Sequence, residues 1–132
     1  MHERILVVDD ESGITETLSA ILRLNGYEVE IATNGQEGYE KAIALQPSLV
    51  ISDISMPRLN GIDMAIKIAA EMPHVRILLF SGQAMTLELL QQAQDRGYSF
   101  ECLVKPFHPI DLINKVRSLL GLPGTSLASL TG

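Results

Sequence analysis

Leu49-Val50-Ile51-Ser52-Asp53-Ile54-Ser55-Met56-Pro57 runs from unbroken apolar residues into an aspartate and then into a proline-marked turn. Three consecutive apolar side chains, two of them β-branched, read as a strand covered on both faces, as in a parallel sheet. A run this short also suits a buried helix, so the flanking segments must decide.

On the amino-terminal side, Asn34 with Glu37 three residues later is close to a capping box. It starts a helix with Tyr39, Ala42, Ile43 and Leu45 turned inward, ending at Gln46-Pro47. Tyr27 to Ala32 alternates Val29 and Ile31 with Glu28 and Glu30, the pattern of a strand less buried on one side, at a sheet edge. Before it, Ile14, Leu18, Ile21 and Leu22 share a helical face, with Ser12 expected as the cap and Asn25-Gly26 as the stop. The first strand, Ile5 to Val8, ends in Asp9-Asp10-Glu11.

On the carboxyl-terminal side, Pro57, Asn60 and Gly61 punctuate a loop, and Ile62, Ala65, Ile66 and Ala69 keep helical spacing up to Met72-Pro73. Arg76 to Phe80 is a fourth strand running into Ser81-Gly82. The spacing then predicts a helix from about Met85 to Arg96 that buries Leu87, Leu90 and Ala93 and stops at Gly97. Glu101 to Val104 is a fifth strand ending in Lys105-Pro106. Pro109 suits the first turn of a last helix with Leu112, Ile113, Val116, Leu119 and Leu120 inward and Gly121 at its end.

Five strands alternating with five helices imply right-handed crossovers and a parallel sheet. A three-layer α/β sandwich follows, and the flavodoxin-like form with strand order 2-1-3-4-5 is the one expected. The 132 residues suffice for one core, expected over residues 1–121, with 122–132 as a flexible tail or the start of a linker. No apolar stretch approaches the roughly 20 residues that span a bilayer, and the amino terminus lacks a signal-peptide pattern, so a cytoplasmic protein is expected. The single cysteine, Cys102, fits a reducing compartment. A net charge of −6 argues against direct nucleic-acid binding and favours proteins and cations as partners.

In open parallel sheets, ligands bind beyond the carboxyl ends of the strands, where the winding reverses. Asp9 and Asp10, Asp53, Ser81 and Lys105 all fall at that edge. Two carboxylates about 4 Å apart repel by roughly 4 kcal/mol at an effective dielectric near 20, so such a cluster needs a proton, a lysine or a metal. Its hard oxygens suit Mg2+, Lys105 and Ser81 suit an added anion, and Asp53 between them suits a nucleophile that becomes an aspartyl phosphate.

In this order and spacing, Val7-Val8-Asp9-Asp10-Glu11, Asp53-Ile54-Ser55-Met56-Pro57 with Gly61, Ser81-Gly82 and Lys105-Pro106-Phe107 resemble the receiver domains of response regulators in two-component signalling, over about residues 4 to 121. The resemblance implies that Asp53 accepts phosphate from a kinase phosphohistidine. It implies that Asp9, Asp10 and Asp53 hold Mg2+ with the backbone carbonyl of Ser55, and that Ser81 and Lys105 bind the phosphoryl group. It further implies a cis bond before Pro106 and a histidine kinase or histidine phosphotransfer protein as partner. Output would pass to a protein target through the fourth helix, fifth strand and fifth helix, with a homodimer on phosphorylation admitted. The domain would be a signalling switch, not an enzyme acting on other substrates. With no DNA-binding or catalytic domain following in the sequence, output by protein contact is expected.

Taken singly, each site residue has an ordinary reading: acids at a helix start, an aspartate in a turn, a serine cap, a surface lysine. Their joint placement at one sheet edge favours function. His2, His74 and His108 lack ligand spacing and read as surface or loop residues. Cys102 reads as a small packing residue, and the methionines as packing or turn residues.

Two features depart from the family. Cys102 stands where receivers usually carry the Tyr or Phe that couples phosphorylation to output, and Gly97 to Lys105 is about one residue longer than the common pattern. A bulge there would let Tyr98 or Phe100 take the aromatic's place. Three other classes stay open: a haloacid-dehalogenase-type hydrolase, which should have a second acid where Ser55 stands; a flavodoxin-like FMN binder, whose phosphate Asp9-Asp10-Glu11 would repel; and a degenerate receiver acting as a constitutive interaction module.

Overall fold

The computed structural model describes residues 3–54, 60–82 and 86–121. Ten elements alternate along the chain: β1 (Arg4–Val8), α1 (Ser12–Leu24), β2 (Glu28–Ala32), α2 (Gly35–Leu45), β3 (Leu49–Asp53), α3 (Gly61–Glu71), β4 (Arg76–Ser81), α4 (Thr86–Asp95), β5 (Glu101–Val104) and α5 (Pro109–Leu119). All strand pairs are parallel, in the order β2-β1-β3-β4-β5. Leu49 to Asp53 is thus the central strand, buried at every position, and the flavodoxin-like sandwich is the observed fold.

Alternation along each strand divides the core in two. Ile5, Val7, Leu49, Ile51, Leu78 and Phe80 point to the side covered by Leu18 and Leu22 of α1 and Leu112, Ile113 and Val116 of α5. Leu6, Val8, Val50, Ile77 and Leu79 point to the side covered by α2, α3 and Ala93 of α4. Full burial of one such side chain contributes roughly 2 kcal/mol, so the central strands are the most firmly fixed part of the molecule. The two strands at the edges, β2 and β5, are partly exposed.

Several local expectations are corrected. Ser12 is the first residue of α1; the cap position is Glu11, whose own side chain makes no capping hydrogen bond and whose N–H donates to the Asp9 carboxylate. Ile43 is exposed, while α2 turns Gly38 and Ala42 inward. A Cβ on Gly38 would lie 2.8 Å from Met64 Sδ and 3.0 Å from Val8, so α2 is held too close to β1 and α3 for a larger inner face. Leu87 is exposed because α4 turns Leu89, Leu90 and Ala93 to the core, and Leu87 lies about 120° around the helix from Ala93. The inner face of α3 includes Met64 and Ile68, which the residues singled out from sequence did not.

Asn34 caps α2 as expected by accepting from Glu37 N. The Glu37 carboxylate reaches back one residue further than in a capping box, accepting from Thr33 N. Gly97 and Gly121 end their helices at positive φ. Ser55, Met85 and residues 122–132 lie outside the described residues. No described helix is long and apolar enough to cross a membrane.

Candidate functional site

The carboxyl edge of the sheet is where the chemistry collects. β1 ends one residue before Asp9, whose N–H continues the ladder to Ala32 O at 3.1 Å. Beside it, β3 ends on Asp53, in register with Phe80, and Ile54 N donates to Phe80 O at 3.1 Å. Carboxylate oxygens of Asp9, Asp10 and Asp53 lie within 4.8 Å of one another. Gly61 closes the base of this site. An added Cβ would sit 2.1 Å from Asp53 O, so only glycine lets the start of α3 approach the end of β3, and Gly61 N donates to Ile54 O at 2.9 Å.

Charge and burial conflict here. Asp9 is fully buried, and its Oδ1 accepts from Glu11 N at 2.9 Å. Its Oδ2 is buried with no hydrogen-bond partner among the described residues. Burial raises the Asp9 pKa from the ordinary carboxylate range to about 6, and the charge on Asp53 adds to the rise; the Glu11 N–H and the Lys105 charge oppose it. An orphaned buried oxygen and two neighbouring carboxylates make a hard-oxygen donor set, which fits a divalent cation of the Mg2+ type.

The cationic side of the site comes from β5. Ser81 pairs with Val104, and Lys105 N donates to Ser81 O at 3.0 Å, which fixes the lysine backbone beside the serine. Lys105 Nζ stands 3.8 Å from Asp53 Oδ2, with the lysine side chain 29% exposed and that of Asp53 8%. The same ammonium lies 4.9 Å over the Phe80 ring. Ser81 is buried at the end of β4. The Lys105–Pro106 bond is cis.

A receiver-domain model of the response regulators matches residues 5–117. The chain belongs to the response regulator receiver domains. This receiver is 37% identical over 123 residues to the chemotaxis protein CheY of Thermotoga maritima, covering 88% of the chain and 98% of that protein. It is 42% identical over 117 residues to the transcriptional regulatory protein PdtaR of Mycobacterium tuberculosis, covering 86% of the chain and 55% of the longer protein. The receiver spans about half the length of several relatives it matches, PdtaR among them. Among solved structures it resembles response regulator TrrA of Thermotoga maritima, crystallised in complex with Mg2+-BeF, at a TM-score of 0.78 and 36% identity over 89% of the receiver and 98% of that chain.

Of the residues singled out from sequence, Asp9, Asp10, Asp53, Ser81 and Lys105 share the carboxyl edge, and Ser55 lies outside the described residues. The bulge that would let Tyr98 or Phe100 take the aromatic's place is not present in β5. Glu101 to Val104 pair in step with Leu78 to Ser81, without a bulge. The extra length lies before the strand, where Tyr98 and Phe100 stack with centroids 6.2 Å apart beside Val75, Arg76 and Ile77. That is the opposite end of the strand from Lys105.

Cys102 itself is half-buried, packed on the α3 and α4 side, and burial pushes its thiol pKa up. Three contributions were missed from sequence: the close approach at Gly61, the Phe80 ring under Lys105, and His108, whose Nδ1 accepts from Ile110 N at 3.3 Å as the cap of α5. Gly61 was legible as loop punctuation and as part of the motif that follows Asp53, but its close approach to the Asp53 carbonyl was not. The other two follow from tertiary packing and cap geometry.

Proposed function

We propose that Asp53 accepts a phosphoryl group from the phosphohistidine of a histidine kinase or histidine phosphotransfer protein, and that the aspartyl phosphate changes the surface the receiver presents to a protein target. The observation that carries this reading is the meeting of three carboxylates with the Lys105 ammonium 3.8 Å from Asp53, at the carboxyl edge of a parallel sheet. In the transfer, an Asp53 carboxylate oxygen bonds to phosphorus as the phosphorus–nitrogen bond breaks, and the departing imidazole nitrogen takes a proton from solvent. Lys105 offers charge and Ser81 a hydroxyl donor to the phosphoryl oxygens. Hydrolysis by water then returns the carboxylate and inorganic phosphate.

Asp9, Asp10 and Asp53, with the Ser55 carbonyl, are the residues that would hold Mg2+. The buried Asp9 Oδ2, without a hydrogen-bond partner among the described residues, supports this assignment, as does the Mg2+-BeF complex of TrrA. When bound, Mg2+ neutralises the acids and polarises phosphoryl oxygens.

Output is assigned to the face formed by α4, β5 and α5. Leu87 (79% exposed), Val104 (66%) and Ile110 (47%) are large apolar side chains open to solvent on these three elements. Homodimerisation on phosphorylation would use the same face. A cytoplasmic location belongs to the same proposal, because the kinase draws its phosphoryl group from ATP.

A constitutive interaction module is the second reading, favoured by Cys102 in place of the coupling aromatic. The two separate on a phosphate-affinity gel after incubation with acetyl phosphate. A retarded band that needs Mg2+ supports the phosphoacceptor; a single unshifted band at saturating Mg2+ supports the module.

A further inference from the structure

We propose that Phe80 is a positioning residue for Lys105, and that its contact with Phe107 carries movement of the lysine to the start of α5 and the groove beside it. The inference rests on the phosphoacceptor role proposed for Asp53. Lys105 Nζ lies 3.8 Å from Asp53 Oδ2, beyond hydrogen-bond length, so that carboxylate oxygen alone does not fix the ammonium. It also lies 4.9 Å over the Phe80 ring, where the negative face of the ring attracts a cation.

Phe80 suits this task because its backbone is fixed inside the sheet while its ring is in contact with both the lysine and Phe107. It is almost fully buried, in register with Asp53 on one side and Leu103 on the other, and its carbonyl accepts from Ile54 N. A leucine would fill similar space without an electron-rich ring face to offer.

The ring also meets Phe107, with centroids 6.2 Å apart and planes at 73°. Phe107 lines a groove of about 510 Å3 with Leu103, Val104, His108, Asp111 and Lys115. One aromatic pair therefore joins the lysine at the carboxylate cluster to the groove on the output face. A phosphoryl group on Asp53 is a stronger partner for the ammonium than a ring face and draws it off Phe80. Phe107 then faces a neighbour whose surroundings have changed. This path lies on the α1 and α5 side of the sheet, whereas Cys102 packs on the α3 and α4 side, so it works without an aromatic at Cys102.

Fluorine NMR tests the path, because the whole chain holds only three phenylalanines. The 132-residue chain is labelled with 4-fluorophenylalanine, its resonances assigned by single Phe→Leu substitutions, and acetyl phosphate with Mg2+ added while intact mass follows the adduct. The Phe80 and Phe107 resonances shift as the adduct forms, and that of Phe100, at the far end of β5, stays. In Lys105→Met at equal adduct the Phe107 shift is lost. Phe80→Leu takes up the phosphoryl group roughly fivefold more slowly, and Phe80→Met repeats the measurement should the leucine variant fail to fold. Adduct with an unmoved Phe107 resonance, a Phe107 shift retained in Lys105→Met, or wild-type uptake by the Phe80 variant overturns the proposal. Absence of any adduct in the wild type overturns the phosphoacceptor reading itself, and the positioning role with it.

Discussion

Asp9 concentrates the conflict between folding and function in one side chain. Its carboxyl is fully buried, and burial lifts its pKa to about 6 from an ordinary 3.8. A carboxyl with a raised folded pKa favours the folded state when protonated. Its contribution is fully present below the unfolded pKa and is lost as pH rises through about 6. Urea unfolding of the metal-free protein and of Asp9→Asn should therefore give matching stabilities near pH 4. By pH 7.5 the variant should be more stable, by on the order of 1–3 kcal/mol. Mg2+ should raise the stability of the wild type at pH 7.5, lose that effect as pH falls below about 6, and leave the variant nearly unchanged. A wild type that matches the variant at every pH would contradict the assignment. Gly61 makes a second prediction at this scale. A methyl group there would meet Asp53 O at 2.1 Å, so Gly61→Ala should cost about 3 kcal/mol in the same unfolding measurement, by forcing backbone apart.

The edge strand β2 shows how elements protect the sheet that carries the site. Its outward-facing Val29 O accepts from Arg23 NH2 of α1 at 3.0 Å, and Ile31 O accepts from Lys41 Nζ of α2 at 2.6 Å. Just past its end, Thr33 N donates to the Glu37 carboxylate at 2.5 Å. Long charged side chains thus occupy backbone groups that a second strand would otherwise use. Arg23→Ala with Lys41→Ala should leave the circular dichroism of the fold intact but produce dimers or larger species in light scattering at high concentration. A strictly monomeric double variant would contradict the sealing role.

Legibility from sequence divides at this scale. Strands and caps with local signatures were readable, such as the alternation of Tyr27 to Ala32 and the Asn34 cap. Leu87 and Ile43 were misread because a helical face is set by which neighbour it packs against, and two turns of apolar residues leave several faces open. Side chains that reach an edge carbonyl from another element leave no trace in spacing at all.

At the scale of the whole molecule, parallel topology gathers a site whose members lie far apart in the chain. The ends of β1, β3, β4 and β5 bring Asp9, Asp53, Ser81 and Lys105 to one edge. The sequence alone carried this far because five alternating units give a parallel sheet, the flavodoxin-like order sets the first strand beside the third, and the polar residues mark the strand ends. It did not carry as far as the ring beneath Lys105, since Phe80 read only as the end of an apolar strand and Phe107 only as part of the Lys105-Pro106-Phe107 motif. Nor did it locate Tyr98 and Phe100 correctly, because an added residue can enter a strand or the loop before it, and pairing with β4 decides which. The central claim is that Asp53 carries the phosphoryl group, and peptide-level mass spectrometry after incubation with acetyl phosphate and Mg2+ tests it most directly. One base-labile phosphoryl adduct should map to Asp53 and vanish in Asp53→Asn; no adduct on the wild type, or an adduct undiminished in Asp53→Asn, would contradict it.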